Sequence, residues 1–245
     1  VGRMASGLAH EVRNPLGVIL QGLNYIESDA PKDEAKLRDV ISMMKNNLSK
    51  ADGIISSLLD FSRASSFQLR PEDITGIIEA SLVFITHDVK YEKIKVVKNI
   101  PPVLPRILAD KGKMEQVFVN LFSNAVHAMP GGGTLTISAY ETRLETSKGK
   151  ISERYGDFFP SGERVMAVEV EDTGEGIREE NIVKVFDPFF TTKEQGKGTG
   201  LGLSVVKSIM DMHGAAIEIK SRYGAGTKIT MYLGLAQEKK TGGVG

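Results

Sequence analysis

Apolar positions recur at helical spacing from the start of the chain. Leu8, Val12, Leu16, Ile19, Leu23 and Ile26 follow one another at steps of four, four, three, four and three. That is one apolar stripe on an amphipathic α-helix, so residues 1–29 are predicted helical. Asp29-Ala30-Pro31 interrupts the stripe, and Pro31 suits the first turn of a second helix. Over residues 32–63 the repeat is cleaner: Leu37, Ile41, Met44, Leu48, Ala51, Ile55 and Leu58 alternate steps of four and three, a heptad seam. Two helices from one chain hide little surface. A helical hairpin that pairs with a second copy into a dimeric four-helix bundle is therefore expected over residues 1–63.

After this seam the pattern changes. Residues 64–71 are polar without a repeat and read as a linker. From residue 72 helix and strand patterns mix. Ile74–Val89 and Lys111–Met129 read as helices, with Pro130-Gly131-Gly132-Gly133 ending the second. Lys95–Ile100, Thr134–Glu141 and Val165–Glu171 read as strands. Leu203–Met212 is helical, and Ala216–Ser221 with Lys228–Leu233 make a hairpin around Gly224 and Gly226. The predicted class is α+β, with an α/β sandwich over residues 72–236 whose helices cover one sheet face. Residues 142–164 form a polar loop, and residues 237–245 are expected to be a disordered tail.

Composition narrows the function classes. The 31 basic and 31 acidic residues cancel, so no broad surface attracts nucleic acid. The absence of cysteine excludes disulfides and thiolate metal sites. No apolar run approaches the ~20 residues that cross a bilayer, and no signal peptide is visible. A cytoplasmic fragment without membrane contact is expected, with the attachment of its parent left open. The chain opens within a helical pattern at Val1-Gly2-Arg3-Met4, as expected of a piece whose upstream part has been removed.

His10 is the first candidate for chemistry. At ~100° per residue, the apolar stripe centres roughly 170° away from it, so His10 and Asn14 face solvent. Pro15 sits in the same helix at a cost of ~3 kcal/mol, a cost more easily tolerated at a working site. Glu11 adjoins His10, and a carboxylate that accepts the Nδ1 proton sharpens Nε2 as a nucleophile. A His-Glu-x-x-His zinc site fails because position 14 is Asn. Taken alone, an isolated histidine on such a face is more readily read as a solvated surface residue.

The second cluster lies downstream. Asn120 and Asn124 stand one turn apart on a helix otherwise apolar on one side, and buried amides need partners. An amide oxygen is a suitable hard donor for Mg²⁺. Asp172 ends a hydrophobic strand before Gly174 and Gly176, where its carboxylate can accept from an exocyclic amine. Gly196, Gly198, Gly200 and Gly202 precede the helix from Leu203 and can turn amides toward an anion. No Walker A register and no Rossmann fingerprint are present. Phe186, Phe189 and Phe190 lie between these blocks, either as plain core or as a lid over a nucleotide.

In this order and together, the blocks resemble a sensor histidine kinase of a two-component system, in its nitrogen-regulation-like branch. His10-Glu11-x-x-Asn14-Pro15 resembles the H box, Asn120–Met129 the N box and Asp172–Ile177 the G1 box. Phe186–Lys193 resembles the F box and Gly198–Leu203 the G2 box. The resemblance implies a gyrase/histidine-kinase type of ATP-binding domain and a response-regulator partner. It implies that His10 accepts phosphate, that Glu11 is its base or orienting partner, and that Asn14 positions a water for dephosphorylating the regulator. It implies Mg²⁺ on Asn124, phosphates near Asn120 and adenine N6 on Asp172. Gly174, Gly176 and Ile177 would flank the base, and Gly198, Thr199, Gly200, Leu201, Gly202 and Leu203 the phosphates. Phe186, Thr192, Lys193 and Thr227 are further contacts of ATP by the same resemblance. Many relatives have Lys where this chain has His127, which is open between a phosphate donor and a helix-surface histidine. ATPases of the gyrase and mismatch-repair type carry a Glu in the place of Asn120. An amide cannot serve as a base at neutral pH, which favours transfer over hydrolysis.

Overall fold

The computed structural model describes residues 2–27, 34, 36–44, 47–48, 67–144, 159–160, 162–193 and 200–236, with the backbone alone for residues 2–14. Most of the expected second helix, the middle of the 142–164 loop, residues 194–199 and the expected tail lie outside the described residues. The chain divides into two compact units: Val1–Ser66 with Asp187–Leu201, and Phe67–Phe186 with Gly202–Gly245.

In the first unit, helix α1 spans Gly2–Glu27 and continues through Pro15. Residues 36–44 are helical as well. The two segments pack closely at Gly22, where an added Cβ would stand 2.6 Å from Met44 Cγ and Sδ. Glycine there leaves room for the Met44 side chain. Of the predicted apolar positions, Leu16, Leu23 and Leu48 are 50%, 43% and 60% exposed in the single chain.

The second unit is built on a five-stranded sheet in the order β2-β4-β5-β7-β6. These strands are β2 (Ile94–Asn99), β4 (Gly133–Arg143), β5 (Arg164–Asp172), β6 (Ala216–Arg222) and β7 (Gly226–Gly234). β2 pairs with β4 in parallel and the other three pairings are antiparallel. The parallel pair needs a crossover, and helix α4 (Lys111–Ala128) lies within it. Alternation along β5 sends Met166, Val168 and Val170 to one face, joined by Leu135, Ile137 and Ala139 of β4 and by Met231 and Leu233 of β7. Helices cover that face. Helix α4 buries Met114, Val117, Phe118, Leu121, Phe122, Ala125 and Val126, a stripe at steps of three and one. Phe118 and Phe122 stack with centroids 5.7 Å apart, and truncating either buried ring to Ala costs ~3–5 kcal/mol. Helix α2 (Ile74–Phe84) adds Ile74, Ile77, Ile78 and Ser81, whose hydroxyl donates back to Ile77 O at 2.8 Å. Helix α6 (Gly202–Met212) adds Val206, Ile209 and Met210. On the opposite face Phe159 closes a small apolar patch with Val165 and Ala216, against Leu144 and Tyr232.

Three features depart from the sequence reading. The linker expected over 64–71 ends early: Arg70–Glu72 form strand β1, laddered to β3 (Ile107–Ala109). The helix expected over Ile74–Val89 breaks at Ile85, which is buried and has left helical ψ. Thr86–Tyr91 continues as helix α3. A short helix, α5 (Glu179–Ile182), was not expected.

Candidate functional site

The register of four strands assembles the site. Leu135 pairs with Asp172, Asp172 with Thr227, and Thr227 with Ser221. Asp172, Thr227 and Ser221 each keep the parity of the helix-covered face, so three polar residues stand in a row where the apolar face ends. Asp172 is only 8% exposed. Its Oδ1 accepts the Gly174 amide at 2.8 Å, and the Thr227 amide also donates to it. Burial pushes its carboxyl above the ordinary carboxylate range, with those two amides acting in the opposite sense.

Glycines let backbone pass where a side chain cannot. A Cβ on Gly226 would sit 2.0 Å from Asp172 O, and one on Gly174 2.5 Å from Ala128 O. Gly176 has φ +67 and lies against Arg222 O, which a Cβ would meet at 2.1 Å. The loop after Asp172 is further tied by Glu175 N–H to Ala128 O at 3.0 Å and by Ile177 N–H to Ser221 Oγ at 2.8 Å. Ser221 is a hub that sequence reasoning missed. Its Oγ also lies 3.0 Å from Gly226 O and 2.8 Å from Thr227 Oγ1. A serine inside a strand pattern carries no signal of such a role.

Helix α4 brings its amides to the start of α6. A Cβ on Gly202 would lie 3.6 Å from both Asn120 Oδ1 and Asn124 Nδ2. Both amides are half-buried. Two side-chain amides thus converge on a helix N-terminus, where backbone N–H groups and the helix dipole favour an anion. Leu201 and Leu203 flank Gly202 and are half-buried, and Leu203 packs on the core. No group of three or more His, Cys, Asp or Glu fit to hold a metal occurs among the described residues. An Asn side-chain oxygen is still a hard donor of the kind that suits Mg²⁺, which keeps several waters and takes few protein ligands.

Other expected site residues lie differently. Phe186 packs against the main core, which supports the core alternative over the lid for that ring. Phe189 adopts φ +68, and its N–H donates to Gly200 O at 3.0 Å. Gly200 has φ +64, with a Cβ only 2.4 Å from Phe189 C. Phe189 and Gly200 are thereby held together. Thr192 is exposed and Lys193 half-buried. His127 is exposed, with Nδ1 3.3 Å from Ser123 Oγ. Gly198 and Thr199, and the side chains of His10, Glu11 and Asn14, lie outside the described residues; the backbone at 10, 11 and 14 is helical.

Comparison with known proteins finds two family matches along the chain. Residues 1–67 match the His Kinase A (phospho-acceptor) domain. Residues 109–237 match the histidine kinase-, DNA gyrase B-, and HSP90-like ATPase. The chain is 31% identical to the sensor histidine kinase ZraS of Klebsiella oxytoca over 98% of its own length and 47% of that protein. It is 36% identical to the sensor kinase CckA of Brucella abortus, over 98% of its length and 25% of that protein. It therefore spans about half of one relative and a quarter of the other. A crystal structure of histidine kinase ThkA in complex with response regulator protein TrrA superimposes with TM-score 0.72 at 25% identity, covering 98% of this chain and 63% of that one.

Proposed function

The chain belongs to the sensor histidine kinases, with a phospho-acceptor domain ahead of the ATPase-type domain, and on that premise we propose that it moves a phosphoryl group from MgATP to His10 and on to an Asp of a response regulator. The observation that carries this reading is the convergence at one end of the sheet. A buried Asp172 closed in by Gly174, Gly176 and Gly226 suits a flat purine bearing an exocyclic amine, and Asn120 and Asn124 face the N-terminus of α6, suiting a polyphosphate.

The His10 Nε2 lone pair attacks the γ-phosphorus, the bond to the β-bridging oxygen breaks, and ADP leaves with that electron pair. Glu11 holds the proton on Nδ1 or takes it as the new N–P bond forms. Asn124 would hold Mg²⁺, which supplies charge neutralisation at the β- and γ-phosphate oxygens when bound. Backbone amides at the start of α6 are preorganised for the same oxygens. Asn120 is an amide, so no side-chain base stands there to activate water, and transfer prevails over hydrolysis. In reverse, the Asn14 amide orients a water toward the phosphorylated regulator.

The fragment works as a homodimer through residues 1–63, which would cover the half-open leucine seam. No helix among the described residues is long and apolar enough to cross a membrane. A cytoplasmic site for this catalytic portion follows from its ATP donor, within a parent that a membrane anchor can hold. His10→Ala is expected to abolish ³²P incorporation from γ-labelled ATP while nucleotide binding survives. Continued labelling of that variant would refute the assignment.

A further inference from the structure

His213 lies at the other end of the two helices that carry the site, and the proposed function gives it no task. Its Nδ1 is 2.7 Å from Ile209 O, and its Nε2 is 3.0 Å from the Asp110 amide nitrogen. A carbonyl only accepts and a backbone N–H only donates, so Nδ1 carries the hydrogen and Nε2 presents a lone pair. One neutral tautomer satisfies both contacts. Asp110 is the N-cap of α4: its Oδ1 accepts the Lys113 amide at 3.1 Å and its Oδ2 the Gln68 amide at 3.1 Å. Phe67 meets the imidazole edge-on, with centroids 4.8 Å apart. Behind the ring, Gly214 at φ +58 lets Ala215 N–H reach back to Met210 O at 2.9 Å, closing the end of α6.

The two helices run antiparallel along this stretch. The N-cap of α4 meets the C-terminal turn of α6, while Asn120 and Asn124 of α4 meet Gly202 at the start of α6. A helix is stiff, so a displacement at Asp110 reaches Asn120, about 15 Å away along the axis. We propose that neutral His213 is a positioning residue for the nucleotide site: it clamps the start of α4 to the end of α6 and thereby sets how the Asn120 and Asn124 amides meet the first turn of α6. The clamp rests on the reading of that site as a nucleotide cradle.

Protonation opposes the clamp. An imidazolium would aim an Nε2–H at the Asp110 N–H, donor against donor. Burial holds His213 below its ordinary value, with the Ile209 carbonyl and the Asp110 carboxylate pulling the other way. Asp110 is the charged group that acts on the ring directly; Lys113 acts on Asp110, the Lys207–Asp211 pair lies earlier on the same helix, and Arg70 bonds Gln68.

Two variants separate clamping from bulk. Gln can place an acceptor near the Nε2 position, and Phe keeps the volume and loses the acceptor. Calorimetric titration of the 245-residue chain with adenylyl imidodiphosphate and Mg²⁺ at pH 7.5 should show His213→Phe binding about fivefold more weakly, equivalent to ~1 kcal/mol. His213→Gln should stay within about twofold of wild type, well under that ~1 kcal/mol. As pH falls below the ordinary imidazole value, wild-type affinity should approach that of His213→Phe at the same pH, while His213→Gln shows only the titration of the ligand and of Asp172. Without nucleotide, the side-chain amide NMR signals of Asn120 and Asn124 should move in His213→Phe and not in His213→Gln. Wild-type affinity in His213→Phe, or wild-type and His213→Gln sharing one pH profile, would overturn the clamp. So would unmoved Asn signals. Failure of the wild type to bind the analogue would instead overturn the nucleotide reading, with the NMR arm still deciding the clamp.

Discussion

Gly224 and Gly226 share one hairpin turn yet should answer differently to the same methyl group. Both have positive φ, +80 and +104, so alanine at either position meets backbone strain of ~1–2 kcal/mol. At Gly224 a Cβ meets nothing within 4 Å. At Gly226 it lies 2.0 Å from Asp172 O and 3.0 Å from Thr173 Cα. Those distances fall well inside the ~3.5 Å at which heavy atoms attract. Neither obstacle is a flexible side chain, so strand backbone has to shift, at a further ~1–3 kcal/mol. Gly224→Ala should therefore cost about 1–2 kcal/mol and Gly226→Ala about 2–5. Urea unfolding followed by far-ultraviolet circular dichroism reads the difference. The shift at Gly226 also displaces the backbone of Asp172, so nucleotide affinity should collapse in Gly226→Ala and stay intact in Gly224→Ala. Equal destabilisation of the two variants, or native affinity in Gly226→Ala, would refute the reasoning.

Two further outcomes follow from the same geometry. The folded-state value of Asp172 is raised, so its contribution to stability is present at low pH and lost as pH rises through that value. Asp172→Asn should consequently melt no lower than wild type at pH 7, yet bind the ATP analogue at least about tenfold more weakly, the equivalent of ~1.4 kcal/mol. In wild type, affinity should fall on acidification before the fold does, as calorimetry and melting curves across pH would show. Leu16 and Leu23 are 50% and 43% exposed on α1. Exchanging both for Glu should convert a light-scattering dimer to monomer, and a dimer that survives would remove the leucine seam from the assembly.

The long periodic elements were readable in the sequence, and the short or contact-defined ones were not. Helix α4 announced itself through Met114 to Val126, and β5 through its alternation ending at Asp172. Strands β1 and β3 are three residues each, too short for a period to emerge, and β1 was absorbed into the linker. The break at Ile85 is hidden in the unbroken apolar run Leu82-Val83-Phe84-Ile85. Asp172, Asn120 and Asn124 were visible as polar residues on otherwise apolar elements. Ser221 and His213 were not, because their importance lies in which distant backbone groups they reach. No spacing along the chain encodes the step from His213 to Asp110.

Among the described residues the sheet is bordered by β2 and β6. Lys95 and Lys98 stand exposed along the first, and Lys220 with Arg222 along the second. Charge on an unpaired strand discourages a foreign strand from docking there. Fusion of sheets from neighbouring molecules into a continuous ribbon is thereby disfavoured, so a crowded, partly unfolded population of this protein is steered away from fibre growth through its most regular surface.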